Sequence, residues 1–143
     1  RYVLDAFPNF RSAGYDARGN GQYLAERMAQ VYGPSRIHQV ALSQQWYRDN
    51  MPRYKARLED KTITLPLDED ILDDHRTVAL KNGVPMVVEH TGDADGKRHG
   101  DSVIACVLAD YAERNDGGDY LEPGDIHSAP MTDRGERILY HAY

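Results

Sequence analysis

Apolar and polar positions along the chain fall into two repeats, one of period two and one of helical period, and their alternation predicts the elements. Residues 1–10 hold Tyr2, Val3, Leu4 and Phe7 ahead of Pro8 and Asn9, the pattern of an apolar element running into a turn. Residues 11–16 form a short strand segment closing on Tyr15 and Asp16, and Ala17-Arg18-Gly19-Asn20-Gly21 is a tight polar turn. Beyond it Leu24, Met28 and Val31 recur at i, i+4 and i+7 with Ala25 and Ala29 beside them, as an amphipathic helix requires, and Gly33-Pro34 stops that helix. Residues 37–42 alternate as a strand. Strand, helix and strand together predict a right-handed parallel crossover.

Ser43 can cap the next helix, in which Tyr47, Met51, Tyr54 and Leu58 share a face; Pro52 predicts a kink or a second helix start. Residues 62–65 favour β structure and are closed by Pro66. Residues 68–80 read as a helix with an acidic first turn, with Ile71, His75 and Val78 on one face and Asn82-Gly83 as its stop. Residues 84–89 form another strand candidate. Residues 91–100 are a loop rich in glycine and charge. A last helix starts near Asp101 with Ile104, Val107, Leu108 and Tyr111 inward, and residues 115–143 read as a tail or docking arm.

A length of 143 residues fits one domain, and 41% hydrophobic with 28% charged residues supplies a modest core. Seventeen Lys and Arg against 23 Asp and Glu give a net charge of −6, the wrong sign for holding nucleic acid by bulk charge. A nucleic-acid partner then needs a local basic patch or bridging cations. The single cysteine, Cys106, excludes an intrachain disulfide and a cysteine zinc cluster, and is expected as a small buried thiol in a reducing compartment. No stretch approaches the roughly 20 apolar residues that cross a bilayer, and no basic flank precedes an apolar core at the N-terminus. The expectation is a soluble chain without a secretion signal and, since it begins with Arg1, a piece of a longer polypeptide.

Two acids sit at element ends. Asp16 lies where a strand meets a glycine-rich turn, and Asp101 where a loop enters the last helix. With the two strands parallel and the last helix packed on the sheet, both carboxylates could reach one sheet edge as ligands of a hard divalent cation, Mg²⁺ or Mn²⁺. A pair of such ions about 3.5–4 Å apart can activate water and stabilise the leaving oxygen in phosphodiester cleavage. Each acid also has a plain structural role open to it, Asp101 as a helix cap and Asp16 as a turn residue bonded to its own backbone. His99, two residues before Asp101, could orient a water or a phosphate, or simply decorate the loop.

Other patterns carry less. Gly19-Asn20-Gly21 lacks the third glycine of a dinucleotide fingerprint, and no Lys-Ser or Lys-Thr follows it as in an ATP-binding loop. Asp93, Asp95 and Gly96 imitate the start of a calcium loop without its remaining ligands. Arg48, Arg53, Lys55, Arg57 and Lys61, interleaved with Tyr47 and Tyr54, form the most basic segment; a solvated helix face accounts for them as well as a phosphate contact does.

Tyr15-Asp16-Ala17-Arg18-Gly19-Asn20-Gly21 with Leu24-Ala25-Glu26, then Tyr32-Gly33, Leu65-Pro66, and His99-Gly100-Asp101-Ser102 with Ala105 and Leu108-Ala109, is an order with a known counterpart. It resembles the C-terminal nuclease domain of phage terminase large subunits, those of Mu-like prophages above all, over roughly residues 11 to 114. The resemblance implies an α/β, partial RNase H-like fold over residues 1–114: a small, mainly parallel sheet flanked by helices, with an added β-hairpin of residues 62–65 and 84–89. It implies a metal-dependent DNA endonuclease that cleaves concatemeric DNA during packaging, with Asp16 and Asp101 as metal ligands, His99 beside them and Mg²⁺ or Mn²⁺ as cofactor.

The partners so implied are double-stranded DNA, the terminase ATPase domain and the portal, in the cytoplasm of the bacterial host, with no membrane. The family's first acid lies on a strand upstream of the region matching Arg1, so the expectation is a truncated fold with an exposed sheet edge, which a second copy or the absent segment would cover. Asp95 and Glu89 are the candidates to replace that acid. The alternative is a non-catalytic module for oligomerisation or for docking on the portal or ATPase.

Overall fold

A computed structural model describes residues 2–7, 9–88 and 100–116. The fold is mixed α/β, with a parallel pair of strands and a separate antiparallel hairpin, and is compatible with part of an RNase H-like fold. The chain divides into two compact units, residues 1–41 with 112–143, and residues 42–111.

In the first unit, β1 (Ala13–Asp16) and β2 (Ile37–Val40) pair in parallel with Ala13 opposite Ile37 and Asp16 opposite Val40, as their flanking helix predicts. That helix, α2 (Gly21–Tyr32), buries Ala25, Met28, Ala29 and Tyr32. Its inward face is therefore one residue round from the expected one, and Leu24 is half exposed. The reason is packing: Tyr32 meets Phe10 edge-on at 5.5 Å, and the small alanines let the helix approach the strands. Gly33 ends α2 at φ 90° with its N–H on the Ala29 carbonyl, as the Gly-Pro stop predicts.

Residues 2–5 fold as a short helix, α1 (Tyr2–Asp5), where the sequence suggests the end of an apolar, strand-like element. The Tyr32 hydroxyl donates to Asp5 Oδ1 at 2.6 Å and ties the two helices. Arg36 is buried beneath this core. Its guanidinium lies 5.0 Å over the Phe10 ring, with Nε donating to the Arg11 carbonyl at 3.0 Å and Nη2 to that of Phe10.

In the second unit, α3 (Gln44–Glu59) begins at Ser43, whose hydroxyl accepts the Trp46 N–H at 3.1 Å. Tyr47, Met51 and Tyr54 are buried as expected, but Pro52 does not divide the helix. Proline removes one N–H from the ladder, and the buried face on either side holds the helix continuous. Residues 62–65 form no strand. Thr62 instead closes α3, its N–H and hydroxyl both donating to the Arg57 carbonyl at 3.0 and 3.2 Å.

Helix α4 (Glu69–Arg76) is capped by Asp68, which accepts from Asp70 and Ile71, and it stops four residues before the expected end. Thr77 terminates it, and β3 (Val78–Lys81) then pairs antiparallel with β4 (Val84–Val87), Lys81 opposite Val84. The hairpin is thus built from residues 78–81, not 62–65. Asn82-Gly83 is its two-residue turn, at φ 53° and 75°, rather than a helix stop. The last helix, α5 (Asp101–Arg114), buries Val103, Val107 and Leu108, leaving Ile104 and Tyr111 half-buried. Among the described residues no helix is long and apolar enough to cross a membrane.

Candidate functional site

Asp16 is the last residue of β1, at the carboxyl end of the parallel pair, where the chain leaves the sheet for α2. Crevices at such strand ends are the usual ligand positions of open α/β sheets. The turn is shaped by two glycines. Gly19 sits at φ 52°, and a Cβ on Gly21 would stand 2.2 Å from the Asp16 carbonyl oxygen, so only glycine lets α2 start this close to the strand.

The Asp16 carboxylate bends over its own turn, Oδ1 accepting the Arg18 N–H at 3.1 Å and Arg18 Nε at 3.2 Å. Oδ2 has no such partner among the described residues, and the side chain is 39% exposed. The turn role open to Asp16 is therefore filled by one oxygen, and the other takes no part in it.

Asp101 is the first residue of α5 and is exposed; its carboxylate makes no hydrogen bond or ion pair among the described residues. It does not cap the helix. That role belongs to Asp74 of α4, whose Oδ2 accepts the Ser102 N–H at 3.1 Å and the Ser102 hydroxyl at 2.6 Å. Gly100 precedes Asp101 at φ 63°, and a Cβ there would lie 2.6 Å from Val87 Cγ1 and 3.0 Å from Thr77 Oγ1. Asp74 carries no sequence signal of this task, being one acid among several in an acidic helix.

Asp16 belongs to the first unit and Asp101 to the second. His99, Glu89, Asp95, the remainder of the 91–100 loop before Gly100 and the tail from residue 117 lie outside the described residues. Among the described residues no three His, Cys, Asp or Glu side chains come together as a metal cluster. In donor chemistry the two aspartates suit a hard cation: Asp101 is exposed, Asp16 keeps one oxygen outside the hydrogen bonds of its turn, and Mg²⁺ is commonly held by one or two carboxylates with water completing its shell.

The basic segment around α3 is spoken for in part. Arg57 Nη1 donates to Asp110 Oδ1 of α5 at 2.7 Å, Lys55 pairs with Glu59 at 2.9 Å, and Tyr47 and Tyr54 are buried, out of reach of a stacked base. Arg48, Arg53 and Lys61 remain exposed.

Tyr54 joins a polar chain that sequence reasoning did not find. The His75 Nδ1–H donates to the Ile71 carbonyl at 2.7 Å, so in the neutral ring Nε2 accepts from the Tyr54 hydroxyl at 2.8 Å. Burial pushes the Tyr54 phenol well above its ordinary range, reinforced by Cys106 and Asp110. It also pushes up the Cys106 thiol, opposed by the hydrogen bond that thiol shares with Tyr54, and Cys106 is half-buried rather than fully buried. Tyr54 and His75 line an apolar groove of about 660 Å³ between α3 and the hairpin.

The fold is mixed α/β and compatible with part of an RNase H-like architecture. Comparison with known sequences then gives two curated relatives. The chain is 41% identical over 134 residues, 93% of its length, to "Mu-like prophage FluMu protein gp28" of Haemophilus influenzae. It is 34% identical over 140 residues, 96% of its length, to "Probable terminase, large subunit gp28" of Escherichia phage Mu. The chain spans 25% of the length of each of these relatives. No family model matches it, and no solved structure does.

Proposed function

We propose that the chain is part of the nuclease of a phage DNA-packaging terminase and contributes Asp16 and Asp101 to a centre that cleaves concatemeric double-stranded DNA. The supporting observation is the conjunction of a relative named as a probable terminase large subunit with an exposed carboxylate at the carboxyl end of a parallel β1-α2-β2 unit. Mg²⁺ or Mn²⁺, when bound, would activate the attacking water and stabilise the leaving oxygen.

Asp16 and Asp101 supply the hard oxygen donors. Arg18 restrains one Asp16 oxygen and leaves the other for the cation. His99 orients a water or a phosphate oxygen. Cations held by the two acids also let a chain of net charge −6 approach DNA. This reading carries with it the ATPase domain and the portal as neighbours and the host cytoplasm as location.

The test is nicking of supercoiled plasmid in Mn²⁺ by the full-length protein that contains this chain. Asp16→Asn and Asp101→Asn should each abolish nicking with the circular dichroism spectrum unchanged, and undiminished nicking in both would remove the two acids from the mechanism. A second reading has an observation of its own: among the described residues β1 and β2 form a two-stranded sheet, and the edges of such a sheet accept strands from another copy or from the rest of a longer protein. A dimer in sedimentation with no Mn²⁺-dependent thermal shift would favour such a docking module.

A further inference from the structure

We infer that Asp74 is the positioning residue for Asp101, acting through Ser102; this rests on the reading of Asp101 as a metal ligand. The first N–H groups of any helix lack intrahelical acceptors, and an acid at the first helical position commonly turns back to serve them. Asp101 has no need to. The Ser102 N–H is already taken by Asp74 Oδ2 at 3.1 Å, and the same oxygen accepts the Ser102 hydroxyl at 2.6 Å, across 28 residues of sequence.

On the other side of Asp101, Gly100 is seated against Val87 and Thr77 so closely that a Cβ would overlap both. Thr77 is in turn tied to α4, its hydroxyl donating to the Asp74 carbonyl at 2.6 Å. Both neighbours of Asp101 are thus anchored to the α4–hairpin segment, while Asp101 itself is exposed. The arrangement fixes the backbone from which the Asp101 carboxylate projects and spares that carboxylate from capping duty. Outer partners that orient a ligand typically change metal affinity about 10–100-fold when removed.

The test uses the whole chain and two readouts, free Mn²⁺ by electron paramagnetic resonance and amide exchange at Ser102 by NMR. Asp74→Ala and the milder Ser102→Ala should each weaken Mn²⁺ binding about tenfold and speed exchange at the Ser102 amide, with the melting transition kept as proof of folding. Ser102→Thr, which retains a hydroxyl, should restore most of both. Added to Asp101→Asn, Asp74→Ala should weaken binding no further, because it acts only through Asp101.

Unchanged affinity and exchange in Asp74→Ala and Ser102→Ala would overturn the inference, as would additive losses with Asp101→Asn, which would make Asp74 a ligand in its own right. Unchanged Mn²⁺ affinity in Asp101→Asn alone overturns the metal reading; the exchange measurements then still decide whether Asp74 anchors the start of α5.

Discussion

Replacing Arg57 by Met asks whether α5 is held to α3 by charge. Arg57 Nη1 and Asp110 Oδ1 are 2.7 Å apart, with the Asp110 side chain 2% exposed and that of Arg57 26%. Removing the cation leaves a carboxylate in a site water hardly reaches, and breaking a fully buried pair in this way costs about 3–5 kcal/mol. Arg57 is a quarter exposed, so water can partly replace it, and the expected loss is about 2–4 kcal/mol.

At roughly 2–4 °C per kcal/mol for a chain of this size, the melting temperature should fall by about 4–16 °C. Urea unfolding gives the free energy, with the slope m checking that the unfolded state is unchanged. Arg57→Met with Asp110→Leu should recover more than half of the loss, since an apolar pair of similar volume is often as stable as a buried ion pair. A single-variant loss below about 0.5 kcal/mol, with no coupling in the double-mutant cycle, would make this an ordinary surface pair and refute the argument.

Gly21→Ala should destabilise by about 1–3 kcal/mol, because the added Cβ meets a backbone oxygen that cannot swing aside; a wild-type melting curve would contradict the geometry at the Asp16 turn. Gly83→Ala, at φ 75°, should cost about 1–2 kcal/mol through the hairpin turn, read by thermal melting. Stability should also fall in alkali. Tyr54 and Cys106 have folded pKa values raised above their ordinary 10.0 and 9.0, so their contribution is intact below those values and is lost as pH rises through the folded ones, by up to about 1.4 kcal/mol per pH unit for each group. Tyr54→Phe with Cys106→Ala should flatten the alkaline limb of a denaturation series, and an unaltered limb would count against burial as the cause.

The β1-α2-β2 unit was legible because alternation, a helical repeat and Gly-Pro punctuation agree there, and strand-helix-strand has one natural solution. Its packing face was not, since large Leu24 outweighs Ala25 in any hydrophobic pattern, yet the strands demand small residues. The hairpin was missed because Asn82-Gly83 ends helices and turns hairpins equally well; the symmetric placing of Val78 to Lys81 and Val84 to Val87 about it was the stronger signal. At the candidate site the two aspartates stand at element ends as expected, and Asp16 is held by its own turn, but the setting of Asp101 is tertiary. Asp74 reaches Ser102 from another helix, and nothing in the local pattern of either residue announces the other.

The most direct measurement is an anomalous map from a crystal of the protein soaked in Mn²⁺. The account predicts a peak, or a close pair of peaks, ligated by both Asp16 and Asp101. With oxygen–metal distances of about 2.0–2.1 Å for Mg²⁺ and paired ions about 4 Å apart, carboxylates more than about 10 Å from one another, or metal at neither, would contradict it.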